Sequence, residues 1–268
     1  MEEGFFAPDL KPLQKGRTQK PRLTGITMVM DTGLGLESTR ELLELAGPFI
    51  DFVKLGFGTA YLYPAGLLQA KVRLLRSYGV HVYCGGTFLE AAEVQGKAEV
   101  FLQKIHKAGF DFVEISDGTV PLSLRRRREL LLLARDLGLE VVTEVGQKHP
   151  EDRLPLSRWV EAIHQDLKAG ARFVLVEARE SGRGTGLYDE KGEVDEEVLE
   201  ALEGAAPLER LIWEAPQKHQ QLFFLQRHGV NANLGNIPPQ GVLSLEALRL
   251  GLRADSLRRL LREKRVRG

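Results

Sequence analysis

Seven ionisable side chains lie in or just after short apolar runs, where charge is out of place. They are Lys54, Glu114, Glu144, Lys148, Glu177, Arg179 and Glu214. Side chains two apart on a strand share a face, so Glu114 pairs with Ser116 and Glu177 with Arg179. A buried charge needs a partner, because an unpaired one costs several kcal/mol. Three cations and four carboxylates meeting at one place satisfy that need. For any one of them, a structural ion network is the simpler reading. Taken together, carboxylates beside lysines also suit a hard divalent cation such as Mg²⁺, which takes oxygen ligands from acids, substrate and water. No His or Cys spacing suggests zinc, and the six histidines are scattered; of them only His149 and His219, near strand ends, merit attention.

Two loops add anion-binding features. Glu180-Ser181-Gly182-Arg183-Gly184-Thr185-Gly186 follows one charged run, and Asn233-Leu234-Gly235-Asn236-Ile237 ends another. Glycines let backbone N–H groups approach an anion, and Arg179 and Arg183 add charge. An ordinary flexible loop is the alternative for each.

The elements that must position these residues are eight β-strands and eight helices in alternation. Apolar runs predict strands at 26–31, 51–56, 80–85, 111–117, 139–145, 172–179, 210–214 and 230–234. Amphipathic stretches predict helices at 37–46, 65–78, 90–107, 123–137, 157–169, 195–203, 217–227 and 245–261. Six helices end at a glycine, from Gly47 to Gly229, the usual stop signal. Eight alternations predict a single-domain α/β fold, the (β/α)8 TIM barrel, over 24–268, with an N-terminal arm over 1–23. A doubly wound open sheet shares the alternation. In a barrel, the strand C-termini carry the chemistry, and there the charged residues gather.

Composition narrows the function. Lys+Arg and Asp+Glu are both 37 of 268 residues, which excludes a globally basic nucleic-acid binder. No apolar run approaches the ~20 residues of a membrane span. The first residues do not read as a signal peptide, and the single Cys84 excludes an intramolecular disulfide framework. Together these predict a cytoplasmic protein. Cys84 reads as a buried small hydrophobe, Trp159 and Trp213 as packing aromatics, and the basic run Arg125–Arg128 as a solvated helix face.

The strand ends resemble those of the phosphosulfolactate synthase family. The likeness rests on Asp31-Thr32-Gly33, on Asp51 to Thr59 (DFVKLGFGT) and on Gly85-Gly86-Thr87. It continues through GFDFVEISDG from Gly109, TEVGQK from Thr143 and EARESG from Glu177. WEAPQ from Trp213, NANLGNI from Asn231 and LEALRLGLRAD from Leu245 complete it, over about residues 24 to 257.

The resemblance implies a Mg²⁺-dependent lyase that adds sulfite to C3 of phosphoenolpyruvate, giving 2-phospho-3-sulfolactate. It implies Lys148 as the acid that protonates C2, with Lys54 and Glu114 beside it as catalytic residues. Arg179, Ser181 and Gly182 would hold phosphate or sulfite, with Asp31, Asn233 and Asn236 also at the substrate. Lys54 would hold the carboxylate, and metal ligands would come from Glu144, Glu177 or Glu214. Family precedent implies a homo-oligomer. Two departures stand out: Thr32 and Gln147 occupy positions where some members carry lysine. A changed anionic substrate, a non-catalytic stress-associated role and a Schiff-base lyase using Lys54 or Lys148 are the alternatives.

Overall fold

The computed structural model describes residues 5–6, 8–146, 154–179, 181–184 and 186–267, with side chains to residue 261. Eight parallel strands form one sheet: β1 (Thr27–Asp31), β2 (Phe52–Leu55), β3 (His81–Cys84), β4 (Phe112–Ile115), β5 (Glu140–Val145), β6 (Phe173–Val176), β7 (Leu211–Glu214) and β8 (Leu234–Ile237). Their order is β3-β2-β1-β8-β7-β6-β5-β4, so β1 joins β8 and the sheet curls into a nearly closed barrel. Side chains bridge the β3–β4 seam. Asp111 accepts the Val82 N–H at 3.1 Å and meets His81 Nδ1 at 2.6 Å. Glu114 accepts the Gly86 N–H at 2.5 Å.

Ten helices flank the sheet among the described residues. They are α1 (Leu36–Ala46), α2 (Ala65–Ser77), α3 (Gly86–Val94), α4 (Ala98–Ala108), α5 (Leu124–Asp136), α6 (Leu156–Ala169), α7 (Glu196–Ala205), α8 (Lys218–Arg227), α9 (Val242–Arg249) and α10 (Ala254–Arg267). Two stretches expected as single helices are each split in two. The breaks contain Gly96 and Gly251, both in left-handed backbone that stops a helix. No helix among the described residues is long and apolar enough to cross a membrane.

Strand alternation builds two cores. Val29, Val53, Val82, Val113, Val141 and Val174 face outward and pack under the helices. Ile26, Met28, Phe52, Tyr83, Phe112, Val142, Phe173, Leu175 and Ile212 fill the barrel interior. Phe52 stands edge-on to Phe112 at 5.0 Å and to Phe173 at 5.8 Å. Each such buried side chain contributes about 1.5–3 kcal/mol. This plug leaves the opposite end, at the strand C-termini, for polar groups.

The N-terminal arm is stitched across the plugged end. Arg17 forks onto Glu246 at 2.9 and 3.0 Å, and Arg22 meets both Asp51 oxygens at 3.0 Å. Lys20 donates to the Ile50 carbonyl at 2.5 Å. These contacts follow no helical or strand period, so the arm carries no periodic pattern to read.

The last strand departs from expectation. It spans Leu234–Ile237 rather than 230–234, because the preceding asparagines spend their side chains on loop closure. Asn231 Oδ1 accepts the Thr18 N–H at 3.0 Å. Asn233 Oδ1 accepts the Ile26 N–H at 2.9 Å, and its Nδ2 donates to the Leu211 and Glu209 carbonyls, both at 3.1 Å.

Candidate active site

Above the apolar plug lies a layer of charge. Lys54 projects from β2 into the barrel and faces three strands at once. Its Nζ lies 2.9 Å from Glu114 Oε2 on β4, 3.0 Å from Glu144 Oε2 on β5 and 3.3 Å from Glu214 Oε1 on β7. All four residues are buried. Burial pulls the lysine pKa down, but Glu114, Glu144 and Glu214 outweigh it and hold the ammonium well above its ordinary value. A Schiff-base lysine must be neutral to attack, so this setting opposes that role for Lys54.

A cavity of about 310 Å³ opens above this layer. Lys54, Glu114, Glu177, Arg179, Glu214 and Asn236 line its polar side; Met30 and Phe57 line its apolar side. Glycines let the floor approach closely. A Cβ on Gly86 would sit 2.3 Å from Ser116 Oγ and 2.9 Å from Glu114 Oε1. Arg179 adopts φ +57°, uncommon for a side-chain-bearing residue, and its N–H donates to Glu177 Oε1. Asn236 adopts the same φ, and its Nδ2 bridges Glu214 Oε2 at 2.9 Å and the Arg179 carbonyl at 3.0 Å. The two strained residues therefore brace each other across the mouth.

Glu144, Glu177 and Glu214 each offer a carboxylate oxygen within 4.8 Å of the others. The donor set is all oxygen, which fits Mg²⁺ and not a thiolate-seeking metal. Asn236 Oδ1 is buried beside them with no hydrogen-bond partner among the described residues. Among the described residues, Lys54 and Arg179 are the cations that line this mouth with Glu114, Glu177 and Glu214.

The structure thus gathers Lys54, Glu114, Glu144, Glu177, Arg179, Glu214 and Asn236. It sets other expected residues elsewhere. Asn233 lies at the opposite end of the barrel, bonded to Ile26 and Leu211 at the strand starts, which corrects its expected place at the substrate. Asp31 is spent on fastening its own loop. Its Oδ1 accepts the Gly33 and Leu34 N–H groups at 2.8 Å, and its Oδ2 meets the buried Lys71 at 2.5 Å. Ser181 and Gly182 lie beside the mouth rather than in the cavity wall, tied by Gln217 and Gln220 through their carbonyls. Thr32 lines a neighbouring hollow with Met30 and Phe57. Lys148, Gln147 and His149 lie outside the described residues.

Sequence reasoning missed Arg127. It belongs to the basic run expected to face solvent, yet it is 1 % exposed. Lys71, fully buried against Asp31, was also unforeseen. Helix-face periodicity carried the only signal for either.

A parallel (β/α)8 barrel with its charged groups gathered at the strand C-termini is the architecture of a barrel enzyme. The family model for (2R)-phospho-3-sulfolactate synthase (ComA) matches residues 15–255, and the chain belongs to that family of enzymes. The match takes in part of the arm, in keeping with its ties to the barrel. The chain is 45% identical over 244 residues to a phosphosulfolactate synthase of Methanothermobacter thermautotrophicus, covering 90% of this chain and 94% of the relative. It is 42% identical over 234 residues to one of Methanocaldococcus jannaschii, covering 87% and 93%. A third, from Bacillus subtilis, is 37% identical over 243 residues, covering 90% and 95%. Among solved structures, the YdjI aldolase of Escherichia coli K12 matches with a TM-score of 0.57 at 12% identity, covering 92% of each chain. At that identity the likeness shows the fold alone.

Proposed function

We propose that the mouth of this barrel joins sulfite to phosphoenolpyruvate, with Mg²⁺ as the cofactor. The observation that carries this reading is the Lys54 ammonium fixed by Glu114, Glu144 and Glu214 beneath a small cavity that also holds Arg179. Both reactants are anions, so cationic groups must offset their repulsion. Arg179 is suited to a phosphate or sulfite oxygen, with Ser181 and Gly182 at the rim. Lys54 is suited to the substrate carboxylate.

The sulfite sulfur supplies the electron pair for the new C–S bond at C3. The C2=C3 π pair moves toward the carboxylate, giving an aci-anion. Lys54 stabilises charge as it develops there, because its position is fixed before the reaction starts. A proton from the Lys148 ammonium then closes the C2–H bond, a role drawn from the family resemblance. Mg²⁺, held by Glu144, Glu177 and Glu214, would supply Lewis-acid stabilisation of the carboxylate. Glu114 fixes Lys54 from the side, and its other oxygen holds the start of α3 through Gly86. The same reading has the protein as a cytoplasmic homo-oligomer; light scattering on purified protein tests the assembly.

The testing experiment follows ¹³C-labelled phosphoenolpyruvate and sulfite by NMR. A new C3–S product that requires added Mg²⁺, and is lost in Glu144→Gln, Glu177→Gln and Glu214→Gln, supports the reading. A labelled product without sulfur overturns it.

A further inference from the structure

Four consecutive arginines, Arg125–Arg128, open α5, and three of them behave as surface charge. Arg125 is exposed and pairs with Glu129 at 2.8 Å. Arg126 forks onto Glu93 at 2.7 and 2.8 Å. Arg128 is exposed. Arg127 alone turns inward, and every guanidinium nitrogen has a partner. Nε lies 3.0 and 2.8 Å from the two Asp166 oxygens on α6. Nη1 lies 3.1 Å from Asp117 Oδ1, just beyond β4. Nη2 donates to the Glu144 carbonyl at 2.8 Å and meets Asp166 Oδ2 at 2.7 Å.

One guanidinium therefore ties three segments: the end of β4, the end of β5 and the last turn of α6. Its grip on β5 falls on the main chain of Glu144, whose carboxylate meets Lys54 and belongs to the three-glutamate oxygen cluster. Only a planar fork can make these bonds at once; a lysine carries the charge but not the geometry. Groups one layer behind a metal ligand set its orientation, and their loss typically costs 10–100-fold in metal affinity or activity.

We propose that Arg127 is a positioning residue for Glu144, setting its carboxylate for both Lys54 and a bound divalent cation. The cation half rests on the proposed function; the alignment against Lys54 does not.

The test uses purified full-length protein with Arg127→Lys and Asp166→Asn, both checked for folding by thermal melts. Mn²⁺ binding is titrated by EPR, separately from turnover, and kcat and KM for phosphoenolpyruvate are measured. The expected result is a 10–100-fold weaker Mn²⁺ Kd and a similar fall in kcat in Arg127→Lys, with KM within about threefold. Asp166→Asn, which keeps the shape and removes one partner charge, should show the same trend, smaller. A folded Arg127→Lys with wild-type Mn²⁺ affinity and kcat overturns the proposal, whatever its melting temperature. If Arg127→Lys does not fold, Asp166→Asn decides on the same criteria. Failure of wild-type protein to bind Mn²⁺ would refute the cation reading. The positioning claim is then carried by kcat alone: a tenfold fall supports it, and an unchanged value overturns it.

Discussion

Lys54 and Glu144 stand on β2 and β5, far apart on the barrel wall, yet Lys54 Nζ and Glu144 Oε2 are 3.0 Å apart inside it. The contact spans the barrel bore and ties its two sides at the level of the cavity floor. Removing the cation would leave Glu114, Glu144 and Glu214 facing one another. Breaking a buried pair in this way typically costs about 3–5 kcal/mol. Lys54→Met, close in volume, should lose stability of that order in urea titration and lose turnover entirely. A Lys54→Met protein as stable as wild type would remove the lysine from the centre of the network.

Gly86 lets α3 begin against Glu114. A methyl group there meets Ser116 Oγ at 2.3 Å and Glu114 Oε1 at 2.9 Å, too close for either to stay. Overpacking of this kind costs about 1–3 kcal/mol. Gly86→Ala should therefore fold with a lowered melting temperature and fall at least tenfold in kcat, through the displaced Glu114. Calorimetry and steady-state kinetics on the same preparation check both halves. Unchanged kcat would mean that Glu114 tolerates the shift.

Cys84 ends β3 with its thiol buried. Burial, and then the nearby Glu114, push it up from 9.0 to about 12. The folded protein should resist iodoacetamide at pH 8 and react once unfolded, because the thiolate is the nucleophile. The sign for stability follows. The folded thiol keeps its proton where the unfolded thiol loses it, so stability present below about pH 9 falls as pH rises toward about 12. Cys84→Ser should flatten that alkaline limb. Rapid labelling of native protein at pH 8 would contradict the burial.

Asn233 and Asn236 are three residues apart and serve opposite ends of the barrel. Asn233→Ala should cost about 1–3 kcal/mol, the penalty for leaving the Ile26 N–H and Leu211 carbonyl without partners, and leave KM unchanged. Asn236→Ala should lower kcat, since its amide braces Glu214 and Arg179. A KM raised to the same extent by both substitutions would place both at the substrate.

That pair shows where the sequence was legible and where it was not. Alternating apolar runs and amphipathic stretches specify a parallel α/β sheet, because strands covered on both faces must be apolar throughout, and the count of eight favours a barrel. Lys54, Glu114, Glu144 and Glu214 were legible for the same reason: charge in an apolar strand has to point at a partner. The asparagine run was not, because asparagine suits both loop closure and a strand end, and a shift of the strand by three or four residues decides which. Arg127 was hidden among three arginines of identical type, and only packing of α5 against α6 separates it from them. Asp31 read as a strand-end acid facing substrate, but Lys71, forty residues further along on α2, claims it.

The most direct measurement is the disappearance of phosphoenolpyruvate with purified protein, with and without sulfite and with and without Mg²⁺, beside Lys148→Ala. Loss of phosphoenolpyruvate that needs sulfite, Mg²⁺ and Lys148 together is the predicted result. No loss over a wide range of sulfite, or loss that proceeds equally without sulfite, would contradict the proposed reaction and turn attention to Thr32 and Gln147.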